Sequence, residues 1–219
     1  MAQVNDELIR YILYLNIPMA VHGPTYDMLI GAIDPYVREA TKRRICEALN
    51  IAKKINASFI VLHINYIEDF YKHRIDKWIE NASNLLDSLI DEYSIDIHLE
   101  NQAEKDPKIF SHLLKNLNNK RVGFCIDVGH ILGYSNRPIE EWIDETVPWI
   151  REIHLHETVR KKDLHLPLGK GLINWNRIIE LLEENGIKLR ELTITLEPRS
   201  EADLIHNLKY LDDLLRGHS

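Results

Sequence analysis

Residues 152–171 read EIHLHETVRKKDLHLPLGKG, and this stretch holds a dense set of side chains able to bind a cation. Ile153 and Leu155 alternate with His154 and His156, the period of a strand, so the two imidazoles share one face. Asp163 and His165 follow after a short polar turn. Imidazoles and a carboxylate at the end of a strand, with no cysteine among them, suit zinc, manganese or another borderline divalent ion. His156 shares its face with His154 and is a candidate for a supporting or substrate contact. The Gly169-Lys170-Gly171 turn lacks the GKS/T context of a phosphate loop. A tight turn into a helix accounts for it at least as well as phosphate contact does.

The elements that must position these groups are legible in order. Apolar residues Leu8, Ile9, Ile12, Leu13 and Leu15 predict a helix over 5–15 that stops at Asn16. Buried strands are expected at 17–24, 59–66, 95–100, 122–127, 150–157 and 192–197. Helices are expected over 35–55, 75–93, 107–118, 138–150 (interrupted or ended near Pro148), 175–185 and 200–215, with Gly129 and His130 in a turn. Short continuous apolar strands alternating with amphipathic helices mark a parallel α/β sheet with crossover helices. No linker or low-complexity tract interrupts them, so a single domain spanning 1–219 is expected.

The expected strands end in turn on His22, His63, Glu100, Asp127 (with His130 close behind), His154 and Glu197. One histidine at a strand end is more often a packed structural residue than a ligand. Six potential ligands at six strand ends call for a common cause. In a (β/α) barrel the C-terminal strand ends converge on one mouth, whereas an open sheet sets them in a row. The pattern therefore favours a TIM-type barrel and a metal site together. Glu100 and Glu197 close apolar strands, where a carboxylate is costly to bury unless it is paired or metal-bound. His98 reads as a packing residue, and His73, His112, His206 and His218 as surface histidines. Asn65, Tyr66, Tyr26 and Tyr134 are candidates for the lining of the mouth.

A chain of 219 residues, 45% hydrophobic and 28% charged, is ordinary globular material with room for one sizeable core. A formal charge of -7 argues mildly against a nucleic-acid backbone as partner. Two cysteines, Cys46 and Cys125, form no framework, and a cytoplasmic location is the expectation. No apolar run approaches the roughly 20 residues that cross a bilayer, and the start of the chain does not read as a targeting signal.

The segments HGPTY (22–26), LHINY (62–66), LENQ (99–102), CIDVGH (125–130), IHLHET (153–158), DLHLPLGKG (163–171) and ITLE (194–197) resemble the xylose isomerase-like TIM barrels. That superfamily includes sugar isomerases, sugar epimerases and endonuclease IV. The resemblance implies a metal site on Glu100, Asp127, His154 and Glu197, with Glu100 and Glu197 also serving as an acid/base pair. It implies substrate contacts at His130, Asp106 and Arg160. For the endonuclease IV branch it implies up to three zinc ions on His22, His63, Glu100, Asp127, His130, His154, Asp163, His165 and Glu197, and all nine positions are filled here. The isomerase branch implies one divalent ion, zinc, manganese, magnesium or cobalt.

The chain departs from the family in strand number. Six strands are expected where a closed barrel has eight, and the first reads as the family's third, so two N-terminal βα units are missing. A truncated or mis-started chain, a true open barrel, and completion by a partner subunit each account for this. An open barrel leaves edges to be covered, and a homodimer is the expected cover. Three functions follow from the resemblance. The first is a metal-dependent sugar or sugar-phosphate isomerase or epimerase acting through an enediolate. The others are a zinc phosphodiesterase acting on abasic DNA and an inactive barrel serving as an interaction module.

Overall fold

The computed structural model describes residues 5–217. The reading of the first four residues and of His218 falls outside them. Six strands are found among the described residues: β1 (Ala20–His22), β2 (Phe59–His63), β3 (Asp96–Glu100), β4 (Val122–Asp127), β5 (Ile150–Leu155) and β6 (Thr193–Leu196). The helices between and around them are α1 (Asp6–Leu15), α2 (Pro35–Lys54), α3 (Glu68–Tyr71), α4 (Ile75–Tyr93), α5 (Lys108–Lys115), α6 (Val128–Tyr134), α7 (Ile139–Thr146), α8 (Trp175–Glu184) and α9 (Glu201–Gly217). No helix among the described residues is long and apolar enough to cross a membrane.

The chain divides into two compact units, one comprising residues 1–99 and 113–123, the other 100–112 and 124–219. In the first, β1 and β2 pair in parallel, with His22 opposite Val61. Ile45, Leu49 and Ala52 of α2 and Trp78, Ala82, Leu86 and Leu89 of α4 are buried in its core, and the two helices pack together. Local chemistry explains where these helices begin and end. Asp34 caps α2 by accepting from the amides of Tyr36 and Val37, and Pro35 occupies a position whose N–H needs no partner. Asn16 ends α1 in the left-handed region at φ 48°.

In the second unit β4 pairs with β5 and β5 with β6, all in parallel. Every residue of β4 is buried. Phe110, Phe124 and Trp142 form an aromatic cluster, and Trp175, Ile179 and Leu182 of α8 are buried, with α8 packed on α7.

Two expectations change. The first strand is not the long buried strand expected over 17–24: it has three residues, and Ala20 and His22 are exposed. Pro18 supplies no N–H to a ladder, which keeps the pairing short. Gly129 and His130 do not lie in a turn but in the first turn of α6, because the Asp127 carboxylate accepts from the His130 amide at 2.7 Å and caps a helix there.

Burial along α2 is not uniform, since Leu49 is 1% exposed and Val37 38%. Leu49→Ala is expected to cost about 2–5 kcal/mol, while Val37→Ala should stay within about 0.5 kcal/mol. Urea unfolding of the two variants measures the difference.

Candidate metal centre

In the second unit the strand register assembles the site. Asp127 of β4 lies beside His154 of β5, which lies beside Thr195 of β6. Side chains on a strand alternate between faces, so Asp127, His154 and Glu197, just beyond β6, emerge together. Glu100, the last residue of β3, joins them. The Nδ1 of His154 stands 3.4 Å from Glu100 Oε1, 3.4 Å from Glu197 Oε1 and 3.8 Å from Asp127 Oδ2. Three carboxylates thus converge on one imidazole nitrogen. Glu100, Asp127 and His154 are essentially fully buried, and the Glu197 side chain is 21% exposed.

A second group adjoins the first. His130, His156, Asp163 and His165 place ligand atoms within 4.8 Å of one another, as do Glu100, Asp127 and His130, and as do Asp127, His156 and Glu197. The His156 Nε2 is 3.1 Å from both oxygens of Asp127, and its ring stacks on that of His165 at 4.0 Å. Gly129 makes this possible: a Cβ there would sit 2.2 Å from His156 Cε1. His130 donates from Nδ1 to the Asn101 carbonyl at 2.8 Å, and its Nε2 faces Asp163 at 3.5 Å.

This much buried negative charge reshapes the titration of its neighbours. Burial opposes a charged His130, but Asp127, Asp163 and Glu100 outweigh it and push its pKa up to about 12. His156 is raised in the same way, burial being overcome by Asp127 and Glu197. Burial would lift Asp127, yet His130 and His156 hold it below the usual carboxylate range. Burial would lift Asp163 too, and His130 and His165 hold it low. The cluster demands positive charge. A divalent cation meets the same demand, and the donors present, imidazole nitrogen and carboxylate oxygen, are those that bind one. Glu197 Oε2 and His156 Nδ1 are among the buried atoms of the described residues that take part in no hydrogen bond. The residues fit a metal.

Of the other expected residues, His22 and His63 stand together in the first unit, at the ends of β1 and β2, with rings edge to face at 5.1 Å. Asp106 pairs with Arg137 at 2.9 Å and accepts from the Lys108 amide at the start of α5. Arg160 is exposed on the rim of a cavity of about 440 Å³, with Val128, Ile131, Arg137 and Leu172 among its lining. Of the four candidate lining residues, Tyr134 approaches His130, with ring centroids 6.1 Å apart. Tyr26 is 87% exposed. Asn65 donates from Nδ2 to the carbonyls of Thr25 and Met28, tying the loop after β2 to the loop after β1, and Tyr66 packs on Trp78. His98 stacks on Phe59, as expected of a packing residue. His206 is not a solvated surface histidine: it is half-buried and bonds the Leu168 carbonyl at 2.8 Å, because α9 lies against that loop.

Three residues of this site escape sequence reasoning. Asn101 exchanges two hydrogen bonds with the backbone of Asp127, at 2.8 and 2.9 Å, tying the end of β3 to the end of β4. Its one signal is its place directly after Glu100. Glu152 lies behind His154, with Oε1 3.3 Å from Nε2. Glu157, fully buried, accepts from the amides of Gly169 and Ile173 and from the Trp175 indole at 3.0–3.1 Å. With the two backbone bonds between Glu157 and Leu166, it folds the 158–172 loop that carries Asp163 and His165. The Gly169–Gly171 turn serves this carboxylate, since a Cβ on Gly171 would lie 2.3 Å from Glu157 Oε2.

With the geometry in view, comparison with known proteins is specific. A family model described as xylose isomerase-like TIM barrel matches residues 3–214, so the chain belongs to that family. Its six parallel strands and surrounding helices are a TIM-type α/β fold with fewer strands than the closed barrel of eight. An uncharacterized protein of Methanocaldococcus jannaschii is 25% identical over 94% of this chain and 74% of its own length. A probable endonuclease 4 of Mycoplasma pneumoniae is 26% identical over 84% and 68%. Among solved structures, a D-tagatose 3-epimerase-like protein superposes with a TM-score of 0.81 at 23% identity, covering 97% of this chain and 84% of its own. A Thermus thermophilus protein from a crystal soaked with zinc chloride gives 0.78 at 23%, covering 96% and 83%. Endonuclease IV from the same organism gives 0.64 at 16%, covering 99% and 83%.

The loop anchored by Glu157 is open to direct test. Glu157→Gln leaves one acceptor to serve three N–H donors, and is expected to cost about 1.5–3 kcal/mol in urea unfolding. Faster tryptic cleavage after Arg160, Lys161 and Lys162 would report release of the loop.

Proposed function

We propose that this chain is a divalent-metal-dependent isomerase or epimerase of a sugar or sugar phosphate. The observation that carries the reading is the convergence of Glu100, Asp127 and Glu197 on the Nδ1 of His154. These four residues would hold the ion, which when bound supplies Lewis-acid polarisation of a substrate carbonyl. Glu100 and Glu197 reach the same point from β3 and from the end of β6. In this reading one carboxylate removes the proton next to the carbonyl and the other returns it to the resulting enediolate. Return to the same carbon on the opposite face is epimerisation, and return to the neighbouring carbon is isomerisation. His130, held by Asn101 and Asp163, would donate to a substrate oxygen. His156 stands ready to do the same from the second group. The burial of the cluster keeps bulk water from competing for these contacts.

A second reading is favoured by one observation: beside Glu100, Asp127, His154 and Glu197, the residues His130, Asp163 and His165 bring further donors, more in all than one ion uses. With His22 and His63 these residues match the larger ligand set of the endonuclease IV branch. The site would then hold several zinc ions, and the substrate would be a phosphodiester of abasic DNA. The formal charge of -7 weighs against that partner.

Elemental analysis of the purified protein separates the two. The isomerase reading expects about one tightly held divalent ion per chain, and the phosphodiesterase reading about three zinc ions together with cleavage of abasic DNA. Glu197→Gln is expected to lower turnover of a ketose substrate by at least about 100-fold; undiminished activity in that variant would remove Glu197 from the acid/base role.

A further inference from the structure

We propose that Glu152 is a positioning residue that sets the orientation and tautomer of His154, and so sets the affinity of the site for its ion. The proposal rests on the metal reading above. On β5, Glu152 and His154 are two residues apart and share a face, with Glu152 the further from the strand's C-terminal end. The register puts Cys125 beside Glu152 on β4, and Thr195 beside His154 on β6. Glu152 is 1% exposed. Its Oε1 accepts from Thr195 Oγ1 at 2.7 Å and stands 3.3 Å from the Nε2 of His154.

A carboxylate can only accept. The His154 Nε2 therefore carries a hydrogen directed at Glu152. The opposite nitrogen, Nδ1, is the one that faces Glu100, Asp127 and Glu197. Once an ion is bound there, Glu152 selects the tautomer whose Nδ1 lone pair is available, and its negative charge raises the basicity of that lone pair. Thr195 in turn fixes the carboxylate, so the orientation of the ring is held from β6 as well as from its own strand. In the other tautomer an N–H would point at the carboxylates, where it blocks a ligand bond. A role confined to holding β5 against β6 would alter stability and leave metal affinity unchanged.

The test is a competition titration of zinc against a chromophoric chelator on the wild type, Glu152→Gln and Glu152→Ala. Urea unfolding of the metal-free proteins runs alongside. The expected result is a loss of about 10–100-fold in zinc affinity in both variants, with the number of ions unchanged and no correlation with the loss of metal-free stability. If Glu152→Ala does not fold, Glu152→Gln, which keeps the volume, decides alone. Wild-type affinity in a folded Glu152 variant overturns the role of Glu152 and leaves the metal reading standing. A wild type that takes up no zinc, with His154→Ala indistinguishable from it, overturns the metal reading and the proposal with it.

Discussion

Glu100, Asp127 and Glu197 bring three carboxylates to one buried point, and the second unit is built around the consequence. Like charges at such distances in a medium of low polarity repel strongly. They stay ionised only where compensating positive charge is fixed among them. The imidazoles of His130, His154 and His156 are spaced through the cluster to supply it, and a divalent ion would do so more effectively. The raised pKa of His130 and His156 and the lowered pKa of Asp127 and Asp163 are two sides of that one demand.

Holding such a cluster requires rigid supports, and these are not the groups that would touch the ion. Asn101 locks the end of β3 to that of β4 through the Asp127 backbone. Asp127 serves twice, since it caps α6 while its carboxylate faces two histidines. Glu157 gathers three N–H donors to shape the loop that brings in Asp163 and His165. A fully buried carboxylate satisfied by three neutral donors is a stable arrangement, and it explains a charged residue in the middle of an otherwise tightly packed turn. The support is thus backbone-directed at β3, β4 and the 158–172 loop, and side-chain-directed at β5, where Glu152 lies behind His154.

The two functional readings share one core set of ligands. Glu100, Asp127, His154 and Glu197 are common to both, and the difference lies in what His130, Asp163 and His165 are for. In the first they orient a substrate; in the second they hold further ions. His156 adds a donor between the groups, in contact with Asp127 and stacked on His165.

By itself the sequence determined the parallel α/β alternation, five of the six strands closely, and the ligand-type residues at their ends, because strand periodicity and side-chain chemistry are local properties. It also marked His154 and its neighbours as a candidate cation site by their density. It overstated β1, whose exposure depends on what lies beside it, and it placed His130 in a turn, because the capping bond from Asp127 that starts α6 is invisible to hydrophobic period. Only the tertiary structure decided which nitrogen of His154 faces the carboxylates, that Gly129 exists to admit the His156 ring, and that Asn101, Glu152 and Glu157 are the supports. Those facts depend on residues brought together from separate elements at distances of about 3 Å, and neither the identity nor the spacing of a residue along the chain records whom its side chain meets.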